Sequence, residues 1–206
     1  MKKRFVAAAG RMYEGSASSL IACVTAFISG CVIGTVFSGM VFNTGTLSNY
    51  FSHFFEMYAS GEVLSAGLWS VLFNTYIYHV IVFLCGFSII GALIIPIIAS
   101  VRGFSLAFSI AALIRLYSGG GVGVALSAFG LTAVIAVPCF LIIAVFSFEA
   151  SRRLFMAAFS RSTALEPVYT GRFFLVCTVC LALLIVPVFL DLLLVPKLLR
   201  AAILHM

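Results

Sequence analysis

Long apolar runs, separated by short polar segments, dominate the pattern of hydrophobic and polar positions along the chain. Apart from tyrosines and thiols, the sole ionisable side chain between Gly15 and Phe55 is His53, and between Val63 and Val101 it is His79. A helix needs about 20 apolar residues to cross the hydrocarbon core of a membrane. Each of these runs is therefore long enough to hold a membrane-spanning helix.

Five membrane-spanning helices are predicted from the apolar runs. They cover residues 19–42, 76–100, 103–117, 124–148 and 173–195. The third is short, and a segment of that length is also typical of a re-entrant hairpin. Five crossings with a cytoplasmic N-terminus place most lysines and arginines on the inner side, as the positive-inside rule requires. We therefore predict one membrane domain, residues 1–206, as an all-α polytopic bundle with its C-terminus outside.

The two longest connections between these spans are predicted to carry interfacial amphipathic helices. In the outer loop, residues 43–75, aromatic side chains fall on one helical face: Tyr50, Phe51, Phe54, Phe55 and Tyr58. Such a face is typical of a helix that lies in the membrane interface. The inner loop, residues 149–172, is rich in arginine and begins with a second amphipathic segment. We expect that segment to contact anionic lipids.

Small side chains recur at every fourth position of the first predicted span: Ala22, Ala26, Gly30, Gly34 and Ser38. The third span repeats the spacing at Gly103, Ala107 and Ala111. In lipid, close packing of small-residue faces is a main source of helix association. We therefore expect the first and third spans to pack together. A partner protein or a second copy of this chain, giving a homo-oligomer, is the alternative.

Composition and charge favour the same class of protein. Hydrophobic residues make up 64% of the 206-residue chain and charged residues 9%, which is outside the range of soluble domains. The net charge of +6 is carried by residues beside the ends of the apolar runs, where it orients helices. We therefore expect no nucleic-acid partner. All six cysteines fall inside predicted spans, which gives no indication of a secreted disulfide framework.

The sequence has no recognisable set of catalytic residues, so we expect neither an enzyme nor a cofactor. The chain has no HExxH motif, and no second acidic residue lies near any histidine to complete a metal site. Cys177 and Cys180 have redox spacing but are interpreted as packing residues, and the histidines as interfacial residues. Arg115 and Asp191 lie near the outer ends of the third and fifth spans. They are expected either to pair inside the bundle or to reach the interface separately.

Three stretches of this sequence resemble one known family. They are SIIGALIIPIIASVRGFSLAFSIAALI, with a basic residue and glycine at Arg102 and Gly103; AVIAVPCFLIIAVFSFEASRRL, with Pro138; and LDLLLVPKLLR, with Asp191 and Pro196. Their order and spacing are similar to those of stage II sporulation protein M. In that family a basic residue and a glycine form a short turn between the second and third spans, and the resemblance implies such a turn at Arg102 and Gly103. AFGLTAVIAVP lacks the histidine and glutamate that many members carry near the fourth span.

The resemblance implies a non-enzymatic scaffold in the mother-cell membrane of a sporulating bacterium. Such a scaffold would bind stage II sporulation proteins D and P and hold these peptidoglycan-degrading partners at the septum during engulfment. The residues themselves leave a second function open, the membrane subunit of a small ABC-type transporter. In that case the inner helix, residues 149–160, would contact an ATPase.

Overall fold

The computed structural model describes residues 2–41, 63–116, 121–159 and 171–193. These segments are helical apart from a turn at residues 86–90 and a break at Leu184. The helices are α1 Lys2–Val41, α2 Val63–Cys85, α3 Gly91–Leu116, α4 Gly121–Ala125, a π-helical segment Leu126–Gly130, α5 Leu131–Phe159, α6 Gly171–Leu183 and α7 Ile185–Leu193. The predicted all-α fold class is confirmed.

Four helical stretches are long and apolar enough to cross a membrane: Ala17–Val41, Gly91–Arg115, Thr132–Ala158 and Phe173–Asp191. In α2 the apolar stretch Thr75–Cys85 is shorter. Large apolar side chains such as Leu93 and Val134 are more than 70% exposed, as expected for a protein whose surrounding solvent is lipid. The chain is therefore a membrane-embedded helical protein.

A buried core joins the helices of the bundle. Its largest fully buried apolar side chains are Phe140, Ile95, Leu113, Ile143 and Leu184. The closest pairing is between α1 and α3, and α5 also contacts α1, α2 and α3. The helix pair α6 and α7 completes the bundle through contacts with α2 and α5. Side chains from α2, α3, α5 and the α6–α7 pair therefore face a common interior.

The boundary between the second and third spans differs from the prediction. α2 ends at Cys85, and α3 then runs without a break from Gly91 to Leu116. The backbone N–H of Gly86 donates to the carbonyl of Phe83, which begins a turn at residues 86–90. The predicted turn at Arg102 and Gly103 is therefore wrong, because both residues lie inside α3.

Contacts with α5 explain why the chain turns at residues 86–90. Ser151 Oγ donates a 2.6 Å hydrogen bond to the carbonyl oxygen of Ser88. A Cβ atom at Gly86 would lie 2.9 Å from Ser147 Cβ, so glycine permits the close approach of this turn to α5. α3 consequently has 26 residues and is a full-length span, which excludes the short third segment of the prediction.

The fourth and fifth spans also differ in detail. α5 continues through residues 149–159, so the predicted inner surface helix is the end of a spanning helix, with Arg153 paired to Glu149 one turn away. The fifth span is divided at Leu184 into α6 and α7. Pro187 explains this division, because it has no N–H to donate to the carbonyl of Leu183. The predicted outer helix, Tyr50–Tyr58, and Pro196 lie outside the described residues.

Candidate functional site

Arg102 lies near the middle of α3, inside a stretch that is apolar enough to cross a membrane. Its guanidinium carbon is 5.0 Å from the centroid of the Tyr78 ring on α2, which is within the range of a cation–π contact. A charged side chain in the middle of a membrane span costs free energy, and the charged residues found there usually have a function. Arg102 therefore defines the candidate site.

Asp191, on α7, is the acidic residue that acts on Arg102. The two side chains attract each other electrostatically, and Thr132 on α5 is a polar side chain that also acts on Asp191. The Thr132 hydroxyl group donates to the carbonyl oxygen of Phe129 at 3.3 Å. Within the described part of the chain, the direct ion pair is the one between Glu149 and Arg153. Arg102 and Asp191 thus interact across the bundle without forming a close salt bridge.

Of the two alternatives for Arg115 and Asp191, the ion pair does not form within the described part of the chain. Arg115 is exposed at the end of α3, where its guanidinium group packs against Gly39 of α1. A Cβ atom at Gly39 would lie 2.5 Å from Arg115 Nη1. The Arg115 side chain therefore contacts α1, and Arg102 is the arginine that acts on Asp191.

His79 is fully buried in α2 and is not the interfacial residue that the sequence predicts. Its Nδ1 atom lies 2.8 Å from the carbonyl oxygen of Thr75, and Nε2 lies 3.3 Å from the carbonyl oxygen of Ala136 on α5. The rings of His79 and Phe140 pack edge to face, with 5.5 Å between their centroids. His79 thereby connects α2 to α5 through both polar and apolar contacts.

We name Tyr78, His79, Arg102, Thr132 and Asp191 together the polar centre. Its five residues come from four helices, α2, α3, α5 and α7. A π-helical segment, Leu126–Gly130, ends just before Thr132, and such segments often occur at functional sites. The polar centre holds a cation and hydrogen-bonding groups inside the bundle.

The small-residue stripe packs α1 against α3 of the same chain. Gly30 lies against the backbone of Ser100, and a Cβ atom at Gly34 would lie 2.5 Å from the carbonyl oxygen of Phe104. Gly103 meets the backbone of Phe27 in return. This is the packing of the first span on the third that the spacing of small residues predicts.

The buried face of α1 does not follow the predicted stripe along its whole length. Ala22 and Ala26 are half-buried, whereas Gly30, Gly34 and Ser38 are buried. A helix has 3.6 residues per turn, so residues four positions apart do not stay on one face along its whole length. In the N-terminal part of the stripe, the buried residues of α1 are therefore Cys23 and Phe27. On α3, Ala107 and Ala111 are half-buried and Gly103 is buried.

The described residues contain no group of three or more His, Cys, Asp or Glu side chains that could hold a metal ion. All six cysteines are free thiols. Cys139 on α5 and Cys177 and Cys180 on α6 are buried members of one core cluster. These cysteines contribute to the packing of the core, as the sequence predicts for Cys177 and Cys180.

Sequence reasoning missed most of the polar centre. The sequence predicts a turn at Arg102 because charged residues usually flank spans, and Tyr78 and Thr132 belong to no recognisable motif. The sequence does carry one signal for Arg102. The apolar stretch from Gly91 to Leu113 is interrupted by this single arginine, and such a pattern fits one span with a buried charge as well as it fits two spans joined by a turn. Pro138 lies inside α5 and is exposed.

Comparison with family models, with curated proteins and with solved structures gives no match for this chain. What the protein does is therefore inferred from its own residues and geometry.

Proposed function

We propose that the protein is a non-enzymatic membrane scaffold that holds partner proteins in the plane of a membrane. The observation that carries the proposal is the polar centre, in which charged and polar side chains bind to neighbouring helices of the same chain. Arg102 is covered by the Tyr78 ring, and both ring nitrogens of His79 meet carbonyl oxygens. Such contacts fix the helices relative to one another, and a fixed bundle presents constant surfaces to partners.

The resemblance to stage II sporulation protein M supplies the partners and the compartment of this proposal. The scaffold would bind stage II sporulation proteins D and P at the septal membrane of the mother cell and localise peptidoglycan degradation during engulfment. The distribution of lysine and arginine supports a cytoplasmic N-terminus and an outer C-terminus. Because the turn between α2 and α3 lies at residues 86–90, Arg102 no longer counts among the charges of the inner side. The remaining lysines and arginines still favour this orientation.

Affinity purification tests the scaffold. The tagged protein is solubilised in mild detergent from membranes of sporulating cells, and co-purifying proteins are identified by mass spectrometry. We expect a transglycosylase and an amidase that act on peptidoglycan. Membranes of cells that carry the untagged protein are the control. Recovery of no cell-wall enzyme with the tagged protein would contradict the proposal.

One observation favours a second candidate, the membrane subunit of a small ABC-type transporter. Arg102 lies at mid-membrane depth, where charged residues often mark the path of a substrate. The end of α5, residues 149–159, would then contact the ATPase. Recovery of a cytoplasmic ATPase without cell-wall enzymes in the same purification would favour this candidate over the scaffold.

A further inference from the structure

Arg102 lies on the face of α3 that points to the interior of the bundle. On the preceding turns of this face Ile95 and Ala99 are fully buried, and on the following turn Leu106 packs against the core. Residues three, four and seven positions apart share one face of a helix. Val101, on the neighbouring face, is exposed. The Arg102 side chain therefore projects between the helices and not into the surrounding lipid.

The Tyr78 ring packs against the guanidinium group of Arg102. The guanidinium carbon lies 5.0 Å from the ring centroid, which is the distance of a cation–π contact. The N–H groups of an arginine lie in the plane of the guanidinium group and point outward from its edge. A cation–π contact holds this plane in position without supplying the oxygen acceptors that the N–H groups require.

Within the described part of the chain, no side chain accepts a hydrogen bond from Arg102. The direct ion pair there joins Glu149 to Arg153, so no carboxylate is in contact with Arg102. The other polar side chains of the polar centre are bonded to backbone carbonyl groups: both ring nitrogens of His79 meet such oxygens, and the Thr132 hydroxyl donates to another. A charged group away from water costs free energy unless its donors are bonded. Arg102 therefore offers donors that its own chain does not use.

We propose that Arg102 is the binding site for an oxyanion, the carboxylate or phosphate group of a ligand that enters the bundle from water or from the lipid headgroups. A pair of guanidinium N–H groups matches a pair of oxygen atoms in such a group, which is why arginine is preferred for binding carboxylates and phosphates. Arg102 is half-buried, so the helices do not enclose it completely. Asp191 attracts Arg102 without a direct ion pair and leaves the N–H groups available.

Thermal unfolding of the purified protein measures the binding of inorganic phosphate, a simple oxyanion probe. The protein is kept in an uncharged detergent that contains no phosphate, and chloride is exchanged for phosphate at constant ionic strength. A ligand that binds the folded state alone raises the unfolding midpoint. We expect a saturable rise of about 3–6 °C when phosphate exceeds its Kd about tenfold. A general salt effect would be equal in all variants.

Two variants of α3 show whether Arg102 is the site. Arg102→Gln removes the charge and the paired N–H groups, and we expect it to abolish the saturable rise. Arg115→Gln is the matched control, because it removes a charge from the same helix at an exposed position near its end. We expect this control to respond to phosphate as the unsubstituted protein does. An intact response in Arg102→Gln, or an equal loss in both variants, would overturn the proposal.

A further variant keeps the test decisive if Arg102→Gln does not fold. Arg102→Lys keeps the charge but replaces the paired N–H groups by a single ammonium group. We expect this variant to need about tenfold more phosphate for half of the full rise, because bidentate hydrogen bonding is lost. An unchanged half-saturation concentration in Arg102→Lys would overturn the proposal.

The source of the oxyanion is distinguished by a second titration of the same variants, with phosphatidylglycerol added to the detergent micelles. A saturable rise with phosphatidylglycerol alone would support a lipid headgroup as the ligand, and a rise with inorganic phosphate would support an anion from water. Absence of a rise with both probes would overturn the proposal. These measurements use the isolated protein and are independent of whether it acts as a scaffold.

Discussion

Asp191 on α7 is attracted electrostatically by Arg102 near the middle of α3, whereas Arg115 at the end of that helix packs against Gly39 of α1. This relationship connects two helices that are far apart in sequence and places a pair of opposite charges inside the bundle. Thr132 and Tyr78 complete the connection from α5 and α2. Polar and electrostatic contacts between α2, α3, α5 and α7 therefore depend on the same small set of residues.

Gly34→Ala is expected to destabilise the protein by about 1–3 kcal/mol, because the added methyl group would meet the carbonyl oxygen of Phe104 at 2.5 Å. Gly123→Ala is the matched control, since a methyl group there meets nothing within 4 Å. Thermal unfolding of both variants in detergent measures the difference. Equal stability of Gly34→Ala and Gly123→Ala would show that α1 and α3 do not pack closely.

Ser151→Ala and Ser147→Ala are expected to differ although both serines are buried in α5. Ser151 donates to the Ser88 carbonyl, and its loss is expected to destabilise by about 1 kcal/mol. Ser147 Oγ has no hydrogen-bond partner in the described structure, so Ser147→Ala is expected to be neutral or slightly stabilising. The same thermal unfolding assay compares them. A larger loss in Ser147→Ala than in Ser151→Ala would contradict the contact between this turn and α5.

Labelling with a membrane-impermeant maleimide tests where α2 and α3 meet. Ser88→Cys lies in the turn and is expected to react in open membrane fragments. Val101→Cys is expected to stay unlabelled, because residue 101 lies within a span, although Val101 is 46% exposed and thus faces lipid. The unsubstituted protein measures the background from its native cysteines. Labelling at residue 101 and protection at residue 88 would restore the turn predicted from the sequence.

The sequence predicts the first span well because an uninterrupted apolar run leaves little choice. The predicted residues 19–42 correspond to Ala17–Val41, and the spacing of Gly30 and Gly34 identifies the face that meets α3. Both features are local, since hydropathy and helical periodicity depend on neighbouring residues alone.

The second and third spans could not be divided correctly by the same means. The residues of the turn at 86–90 are mostly apolar, so hydropathy does not mark it, whereas Arg102 interrupts the pattern without ending a helix. What decides the division is the contact of Gly86 and Ser88 with Ser147 and Ser151, which lie about 60 residues further along the chain. The polar centre is likewise missed, because its members are brought together by four helices.

A double-mutant cycle between Arg102→Gln and Asp191→Asn is the most direct test of the polar centre. The free energy of unfolding in detergent is measured for both single variants and for the double variant. We expect a coupling energy of about 1 kcal/mol, within the range found for residues of one polar network. The parallel cycle between Arg115→Gln and Asp191→Asn is expected to be additive. Coupling of Asp191 to Arg115, with additivity toward Arg102, would contradict this structure of the site.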